Sequence, residues 1–171
     1  MRAPDGLATR PTSDRVRESL FNIVAARVPG SRFLDLFAGS GAVGLEAISR
    51  GADEAVFVEQ SRRALEQIEQ NIAHCGVEDR SRIVAKDAQA ALKTLAAAGE
   101  EFDLVYVDPP YEADLYLPVL RMLGRSGLVA SDGLVVVELR SRDALPDVAG
   151  ELRHYRDVRY GDTTLAFYEP G

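Results

Sequence analysis

A short segment rich in glycine carries the first chemical signal in the sequence. It runs Asp35-Leu-Phe-Ala-Gly-Ser-Gly-Ala-Val-Gly44 and continues a run of apolar residues. Gly39, Gly41 and Gly44 have the spacing of the dinucleotide fingerprint, in which a strand leads through a glycine turn into a helix. Glycine lets the backbone bend sharply and lets a ligand approach the main chain. The segment predicts a nucleotide-like ligand, bound by Phe37, Ala38, Gly39, Ser40 and Gly41.

Acidic residues at the predicted strand ends indicate which ligand this is. Asp35, Glu59 and Asp108 stand at strand ends, and Asp87 directly follows another strand. Such a cluster repels the pyrophosphate of NAD but attracts the sulfonium and ammonium groups of S-adenosylmethionine. Glu59 can accept both ribose hydroxyls, Asp87 can accept from the adenine amine, and Asp35 would face the ammonium end. Each acid could instead be a helix cap or a solvated loop residue. The predicted pocket for S-adenosylmethionine, the methyl donor, also includes Gln60 and Ala88.

The segment Asp108-Pro109-Pro110-Tyr111 predicts the kind of group that receives the methyl group. Two prolines fix the backbone and lack N–H donors, so the segment presents a carboxylate and a carbonyl in a rigid arrangement. If two hydrogen-bond acceptors bind the two protons of an exocyclic amine on a base, they draw its nitrogen toward a tetrahedral form that can attack a methyl group. Asp108 and the Pro109 carbonyl are the predicted acceptors, and Tyr111 would stack on the extruded base. The alternative interpretation is a rigid turn after a strand, and the glycine segment upstream argues against it.

Short apolar runs alternate with helical patterns along most of the chain. This alternation predicts an α/β fold with a mostly parallel, seven-stranded sheet and helices on both faces. The last two runs flank Gly161-Asp162 and predict a C-terminal antiparallel hairpin. The predicted strands are Arg32–Phe37, Glu54–Glu59, Arg82–Lys86, Phe102–Asp108, Gly133–Leu139, Leu152–Tyr160 and Thr163–Tyr168.

Helical periodicity fills the segments between these strands. On the third helix, Leu65, Ile68, Ile72 and Cys75 form one apolar seam, so Cys75 is interpreted as core filler. A leading helix precedes the first strand, so residues 1–29 are expected to form an arm and helix ahead of a single globular domain at 30–171. The predicted helices are Thr12–Val28, Ala42–Arg50, Ser61–Cys75, Ala88–Ala98 and Leu115–Arg125.

Composition and charge narrow the classes of function. The 171 residues suffice for one well-buried domain, and their net charge of -7 argues against a broad basic surface. One cysteine and two histidines exclude a disulfide framework and a structural zinc site, so no metal is expected. Without a signal sequence or membrane-spanning run, we expect a cytoplasmic protein. Arginines gather at both ends of the chain, so a local RNA footprint remains possible beside the simpler interpretation as solvated charge.

Four segments resemble one known family. They are Arg10-Pro-Thr-Ser-Asp-Arg-Val-Arg-Glu-Ser-Leu-Phe21, the glycine segment extended to Ala47, Asp108–Tyr111, and Tyr160-Gly-Asp-Thr-Thr164. Together they resemble the RsmD-like 16S ribosomal RNA guanine-N2 methyltransferases, which have a Rossmann-like methyltransferase fold. The second and third segments occur in many amino-methyltransferases, whereas the first and last are more particular to this group.

The resemblance implies an enzyme that methylates a guanine presented by a partly or fully assembled small ribosomal subunit, and we expect it to act as a monomer. It also implies that Arg10, Pro11 and Thr12 fold over the methyl donor. The residues that it implies line the donor pocket are Asp35, Gly39, Gly41, Glu59, Asp87 and Asp108. The residues expected to meet RNA are Arg10, Arg15, Arg17, Tyr111, Arg156 and Arg159. Members of this group usually begin with a further glycine- and arginine-rich strand, whereas this chain starts at Met1-Arg-Ala-Pro. If that strand holds the segment Arg10–Thr12 or the RNA, we expect the chain to bind the methyl donor but to methylate slowly.

Two alternative functions remain open on the sequence. An adenine-N6 or other amino-methyltransferase on DNA or RNA would use the same donor and the same tetrapeptide, although the chain has no spare segment for a DNA-recognition module. A nicotinamide-dependent oxidoreductase, or an inactive nucleotide-binding module, would use the glycine turn alone.

Overall fold

The computed structural model describes residues 11–110 and 114–171. Strands and helices alternate from β1 to β5, and the chain then closes with three further strands. The helices are α1 (Pro11–Ile23), α2 (Ala42–Ser49), α3 (Arg62–Cys75), α4 (Ala88–Ala97) and α5 (Tyr116–Arg125). The strands are β1 (Arg32–Leu36), β2 (Glu54–Val58), β3 (Ser81–Val84), β4 (Phe102–Val107), β5 (Val129–Arg140), β6 (Val148–Ala149), β7 (Leu152–Tyr160) and β8 (Thr163–Pro170).

One sheet joins all these strands in the order β3-β2-β1-β4-β5-β8-β7-β6. The first five strands are parallel, and β8 pairs antiparallel with both β5 and β7. The predicted mostly parallel sheet with a C-terminal hairpin is confirmed. The predicted count of seven strands was wrong, because the described residues form eight. The additional strand, Val148–Ala149, has only two residues and pairs with the start of β7, so it leaves no recognisable pattern in the sequence.

Two apolar cores cover the two faces of the sheet. The first core holds α4 and α5 against the sheet, with Leu92 and Leu120 buried between them. The second holds α1, α2 and α3, with Leu20, Leu45 and Ile68 buried. Because the central strands are covered on both faces, they carry nearly continuous apolar residues. The same coverage leaves the carboxyl edge of the sheet as the place where polar side chains collect.

The boundaries of α1 and the seam of α3 differ from the predictions. α1 ends at Ile23 and a short 3-10 turn follows, so the predicted helix to Val28 was too long. On α3 the buried residues are Ala64, Ile68, Asn71 and Ile72, and Cys75 is exposed, so its interpretation as core filler was wrong. Gly76 adopts a left-handed conformation, and the Val77 N–H donates to the Ile72 carbonyl at 3.3 Å. This helix-ending motif lets Val77 pack against the second core, where Cys75 was predicted to pack.

Within the described ranges, no helix combines the length and the apolar character needed to cross a bilayer.

Candidate active site

The glycine turn leaves β1 through a sequence of unusual backbone conformations. Phe37 has a φ of 74°, a left-handed value rare for a residue with a side chain, and Gly39 and Gly41 have φ values of 57° and 84°. The Ala38 N–H donates to the Val58 carbonyl of β2 at 2.9 Å, which fixes the start of the turn. No atom lies within 4 Å of the position where a Cβ of Gly39 would stand. The turn therefore offers open backbone to a ligand.

Gly44 has a different role from the two glycines before it. A Cβ at this position would lie 2.4 Å from Cε1 of Phe57, a fully buried ring on β2. The absence of a side chain lets α2 pack closely on the sheet. The predicted strand-turn-helix context of the fingerprint is thus confirmed.

Asp35 lies beneath the turn and supports it. Its side chain is only 2% exposed, and its Oδ2 accepts a hydrogen bond from the Gly44 N–H at 3.0 Å. Burial raises the pKa of this carboxyl to about 7, with a further contribution from the charge of Glu59, while the Gly44 N–H opposes the rise. The carboxylate therefore joins β1 to α2. Its predicted contact with the ammonium group of the donor stays a prediction.

Glu59 connects the end of β2 to the glycine turn. Its Oε1 accepts from the Gly39 N–H at 2.9 Å, and its Oε2 accepts from the N–H groups of Gln60 and Ser61 at 3.0 and 2.8 Å. These three bonds hold the side chain in one orientation beside the turn. A carboxylate has about four lone-pair sites and these bonds use three of them, so the predicted acceptance from both ribose hydroxyls would require one of these bonds to open.

Asp87 is the N-cap of α4, and its Oδ1 accepts from the Ala90 N–H at 3.0 Å. The side chain is exposed, and Ala88 after it is buried in the first core. The Glu59 N–H donates to the Val84 carbonyl at the end of β3, so the loop holding Asp87 begins beside Glu59. The alternative interpretation as a helix cap is correct, and the predicted contact with adenine would use the remaining acceptor capacity.

The Asp108-Pro109 segment begins beside the glycine turn. In the register of β1 and β4, Asp35 pairs with Tyr106 and Leu36 with Val107, so Asp108 follows β4 where Phe37 follows β1. Asp108 is half-buried, Pro109 is buried and Pro110 is exposed. The segment predicted to bind the methyl donor and the segment predicted to bind the base amine therefore begin at the same edge, after two adjacent central strands. Tyr111 lies outside the described residues, as does Arg10.

A hydrogen-bonded pair that the sequence analysis missed lies at the same edge. The Tyr106 hydroxyl donates to Oε1 of Glu138 on β5, and the Tyr116 hydroxyl donates to the Glu138 carbonyl oxygen at 3.1 Å. Burial raises the pKa of Tyr106 well above its ordinary value, and the charges of Glu138, Asp108 and Asp35 add to the rise. Glu138 therefore belongs to the acidic cluster. The same sequence signal, an acid near the end of an apolar run, could have identified it.

Asn71 was also missed, because it interrupts the apolar seam of α3. Its side chain is 5% exposed, and its Nδ2 donates to the Ser40 carbonyl at 2.9 Å. Burial of an amide costs free energy unless its polar atoms form hydrogen bonds, so this hydrogen bond stabilises the buried side chain. It fixes the middle of the glycine turn from below.

Among the residues that the structure describes, the arginines predicted to meet RNA do not all lie on one surface. Arg15 is exposed on α1, whereas Arg17 lies 3.3 Å from Asp14 and 3.8 Å from Glu46 on α2. Arg156 and Arg159 are three residues apart on β7, so they point to opposite faces of the sheet. Of these two arginines, Arg156 lies on the face of the sheet that carries α1. Nothing is described of the side chains of Pro11 and Thr12.

These features define the class of the protein. The sheet has the strand order of a dinucleotide-binding fold through β5 and then adds an antiparallel hairpin, and acids rather than cations surround its glycine turn. A cationic ligand fits this edge, and a pyrophosphate does not. The chain is a Rossmann-fold methyltransferase that depends on S-adenosylmethionine.

Comparisons with known proteins identify the family. The profile of the family described as "conserved hypothetical protein 95" matches residues 1–169, and the chain belongs to this family. Ribosomal RNA small subunit methyltransferase D of Escherichia coli K12 is 36% identical over 166 residues, which cover 97% of this chain and 82% of that protein. The protein of the same name from Haemophilus influenzae is 31% identical over 129 residues, covering 75% and 67%.

Solved structures share the fold. A hypothetical protein of Thermus thermophilus superposes with a TM-score of 0.85 at 35% identity, covering 99% of this chain and 92% of that one. A SAM-dependent methyltransferase of Agrobacterium tumefaciens superposes with a TM-score of 0.69 at 18% identity, covering 95% and 63%. At that identity the second likeness concerns the fold alone.

Proposed function

We propose that this methyltransferase modifies the exocyclic N2 amine of a guanine in 16S ribosomal RNA of the small subunit. The names of the relatives from E. coli and H. influenzae support ribosomal RNA of the small subunit as the substrate. One observation carries the choice of an amine: Asp108 and Pro109 leave β4 directly beside the glycine turn that leaves β1. A base amine held by these acceptors would stand next to the donor.

The acceptor groups activate the amine by hydrogen bonding. The Asp108 carboxylate and the Pro109 carbonyl accept from the two N–H bonds of the amine, which localises the lone pair on nitrogen. S-adenosylmethionine, when bound, supplies an electrophilic methyl group. The nitrogen–methyl bond would form as the sulfur–methyl bond of the donor breaks, leaving S-adenosylhomocysteine, and the nitrogen would lose a proton to Asp108. Positioning is the main contribution of the protein, and Tyr111 would provide it by stacking on the base.

The donor pocket is proposed to use the residues around the glycine turn. Glu59 would accept from the ribose hydroxyls and Asp87 from the adenine amine, while Asp35 would compensate the ammonium charge. Gly39 would let the donor approach the main chain, since its missing side chain leaves open space. The remaining predicted contacts are Arg10, Pro11, Thr12, Phe37, Ala38, Ser40, Gly41, Gln60 and Ala88.

The substrate is proposed to be a partly or fully assembled small subunit, approached by a monomer in the cytoplasm. A net charge of -7 makes tight binding to naked RNA through a broad surface unfavourable. A ribonucleoprotein could meet the arginine-bearing segments with RNA and the acidic remainder with protein.

Methylation of small subunits that lack the modification tests the proposal. The subunits are incubated with labelled donor, and mass spectrometry locates the methylated nucleotide and atom. We expect N2-methylguanine in 16S RNA. A product at adenine N6, or transfer to DNA but not to RNA, would replace guanine N2 with the alternative amino-methyltransferase activity.

Asp108→Ala tests the role of the acceptor. We expect it to keep much of the affinity for S-adenosylhomocysteine and to lose about a hundredfold or more in transfer, the usual effect of removing a group that stabilises the transition state. Asp132→Ala, which removes an exposed carboxyl on β5, is the matched control. Transfer by Asp108→Ala at the rate of the control would remove Asp108 from the mechanism.

A further inference from the structure

An irregularity in β7 places two consecutive side chains on the same face of the sheet. His154 pairs with Tyr168 and Arg156 pairs with Phe167, so Tyr155 is an extra residue without a partner in β8. In a regular strand, neighbouring side chains point to opposite faces. Here the Tyr155 ring lies 6.3 Å from the Phe167 ring, and the Arg156 guanidinium lies 5.6 Å from the same ring. The bulge therefore brings Tyr155 and Arg156 together above Phe167.

This pair is accessible and positively charged. Tyr155 is 46% exposed, whereas Phe167 beneath it is fully buried. Arg156 is exposed and forms no ion pair with any residue that the structure describes. The charges of Arg27 and Arg156 oppose the rise in pKa that burial gives the Tyr155 hydroxyl, and Glu169 acts in the opposite sense. Two cations and one acid thus surround an aromatic side chain, on a protein whose net charge is negative.

The register of the sheet relates this pair to the candidate active site. Arg156 pairs with Phe167, Phe167 with Val136, and Val136 with Tyr106, so these residues form one row across four strands. Three strand spacings place Arg156 about 14 Å from Tyr106, and Asp108 lies about 7 Å further along β4. Phe167, Val136 and Tyr106 all face the second core. A few nucleotides of extended RNA would span this distance past α1.

An aromatic ring beside an arginine suits an unpaired nucleotide. Bases stack on tyrosine and on guanidinium planes, and arginine also binds phosphate. A protein partner would need a wider apolar surface, because stable protein interfaces bury several hundred square ångströms on each side. On this face, Val148 is the only other large apolar side chain that the described part of the chain exposes. The patch therefore matches one base better than a protein segment.

We infer that Tyr155 and Arg156 form an accessory site for an unpaired nucleotide of the substrate RNA, a few nucleotides from the methylated base. The inference rests on the proposed function. The accessory site would increase the affinity for the substrate RNA and fix the direction in which the RNA crosses α1. It would take no part in methyl transfer itself.

Steady-state methylation separates this role from a catalytic or structural one. For Tyr155→Ala we expect KM for the small subunit to rise about tenfold or more, with little change in kcat and in affinity for S-adenosylhomocysteine. Tyr155→Phe keeps the ring and should behave as wild type. Arg121→Ala, an exposed arginine on α5 against the other face, is the matched control. An unchanged KM for Tyr155→Ala would overturn the inference, whereas absence of RNA methylation by the wild type would overturn the proposed function.

RNA binding measured against salt distinguishes RNA from a protein partner. With single-stranded fragments of increasing length around the methylated guanine, wild-type affinity should rise once the fragment reaches the accessory site. Tyr155→Ala should lose this gain. Arg156→Ala should lower the slope of log affinity against log salt by about one, and Tyr155→Ala should leave it unchanged. If both variants raise KM on intact subunits but bind every fragment as wild type does, the contact is to a ribosomal protein and the inference is wrong.

Discussion

Replacing Asp35 with asparagine is expected to stabilise the folded protein at neutral pH. The carboxyl is buried, and its pKa is about 7 instead of 3.8. Asparagine has nearly the same shape, and its Oδ1 can still accept from the Gly44 N–H that Asp35 binds at 3.0 Å. The substitution therefore removes the cost of a buried charge without removing the bond that joins β1 to α2.

The magnitude and sign follow from the two pKa values. A rise of about three units corresponds to about 4 kcal/mol, at about 1.4 kcal/mol per unit. The folded protein holds this proton more tightly than the unfolded chain, so unfolding releases a proton between about pH 4 and pH 7. Stability of the wild type should fall as pH rises through that window, and the full cost is present above pH 7. Asp35→Asn should lack this component.

Urea unfolding at pH 4, 5.5 and 8, without donor, measures the effect. The variant and the wild type should differ least at pH 4 and by up to about 4 kcal/mol at pH 8, in favour of the variant. Asp143→Asn, at an exposed position, should follow the wild type at every pH. A difference between Asp35→Asn and wild type that stays constant with pH would refute the assignment of a raised pKa to this buried carboxyl.

Four other substitutions test the parts of the site. Gly44→Ala places a methyl group against the Phe57 ring and should cost about 1–3 kcal/mol in urea unfolding, whereas wild-type stability would show that α2 can move away. Tyr106→Phe removes the hydroxyl bonded to Glu138 and should lower the free energy of unfolding by about 1–3 kcal/mol, more than Glu138→Gln, which can still accept that bond. Glu59→Gln exchanges one acceptor oxygen for a donor and should weaken binding of S-adenosylhomocysteine about tenfold or more by calorimetry. Wild-type affinity there would contradict the role of Glu59 beside the turn.

Local sequence determined seven of the eight described strands, the glycine turn and most helix boundaries. Ala42 and Ala88 begin their helices where the sequence predicts, and Ser61 caps α3, because caps and periodicity act over a few residues. The acidic residues at strand ends could also be read directly, since parallel strands bring their carboxyl ends to one edge. Fold class and the edge that holds the site therefore follow from the sequence.

The tertiary structure alone decided which of these residues meet. The bond from Tyr106 to Glu138 joins two strands 32 residues apart in sequence, and the contact of Asn71 with Ser40 joins a helix to a turn. Cys75 is exposed because the turn at Gly76 brings another residue onto the core. Each of these outcomes depends on pairing register or on the path of the chain after a turn. Local patterns specify which face of an element is apolar, but only the packed sheet sets which side chains share that face and which atoms come within bonding distance.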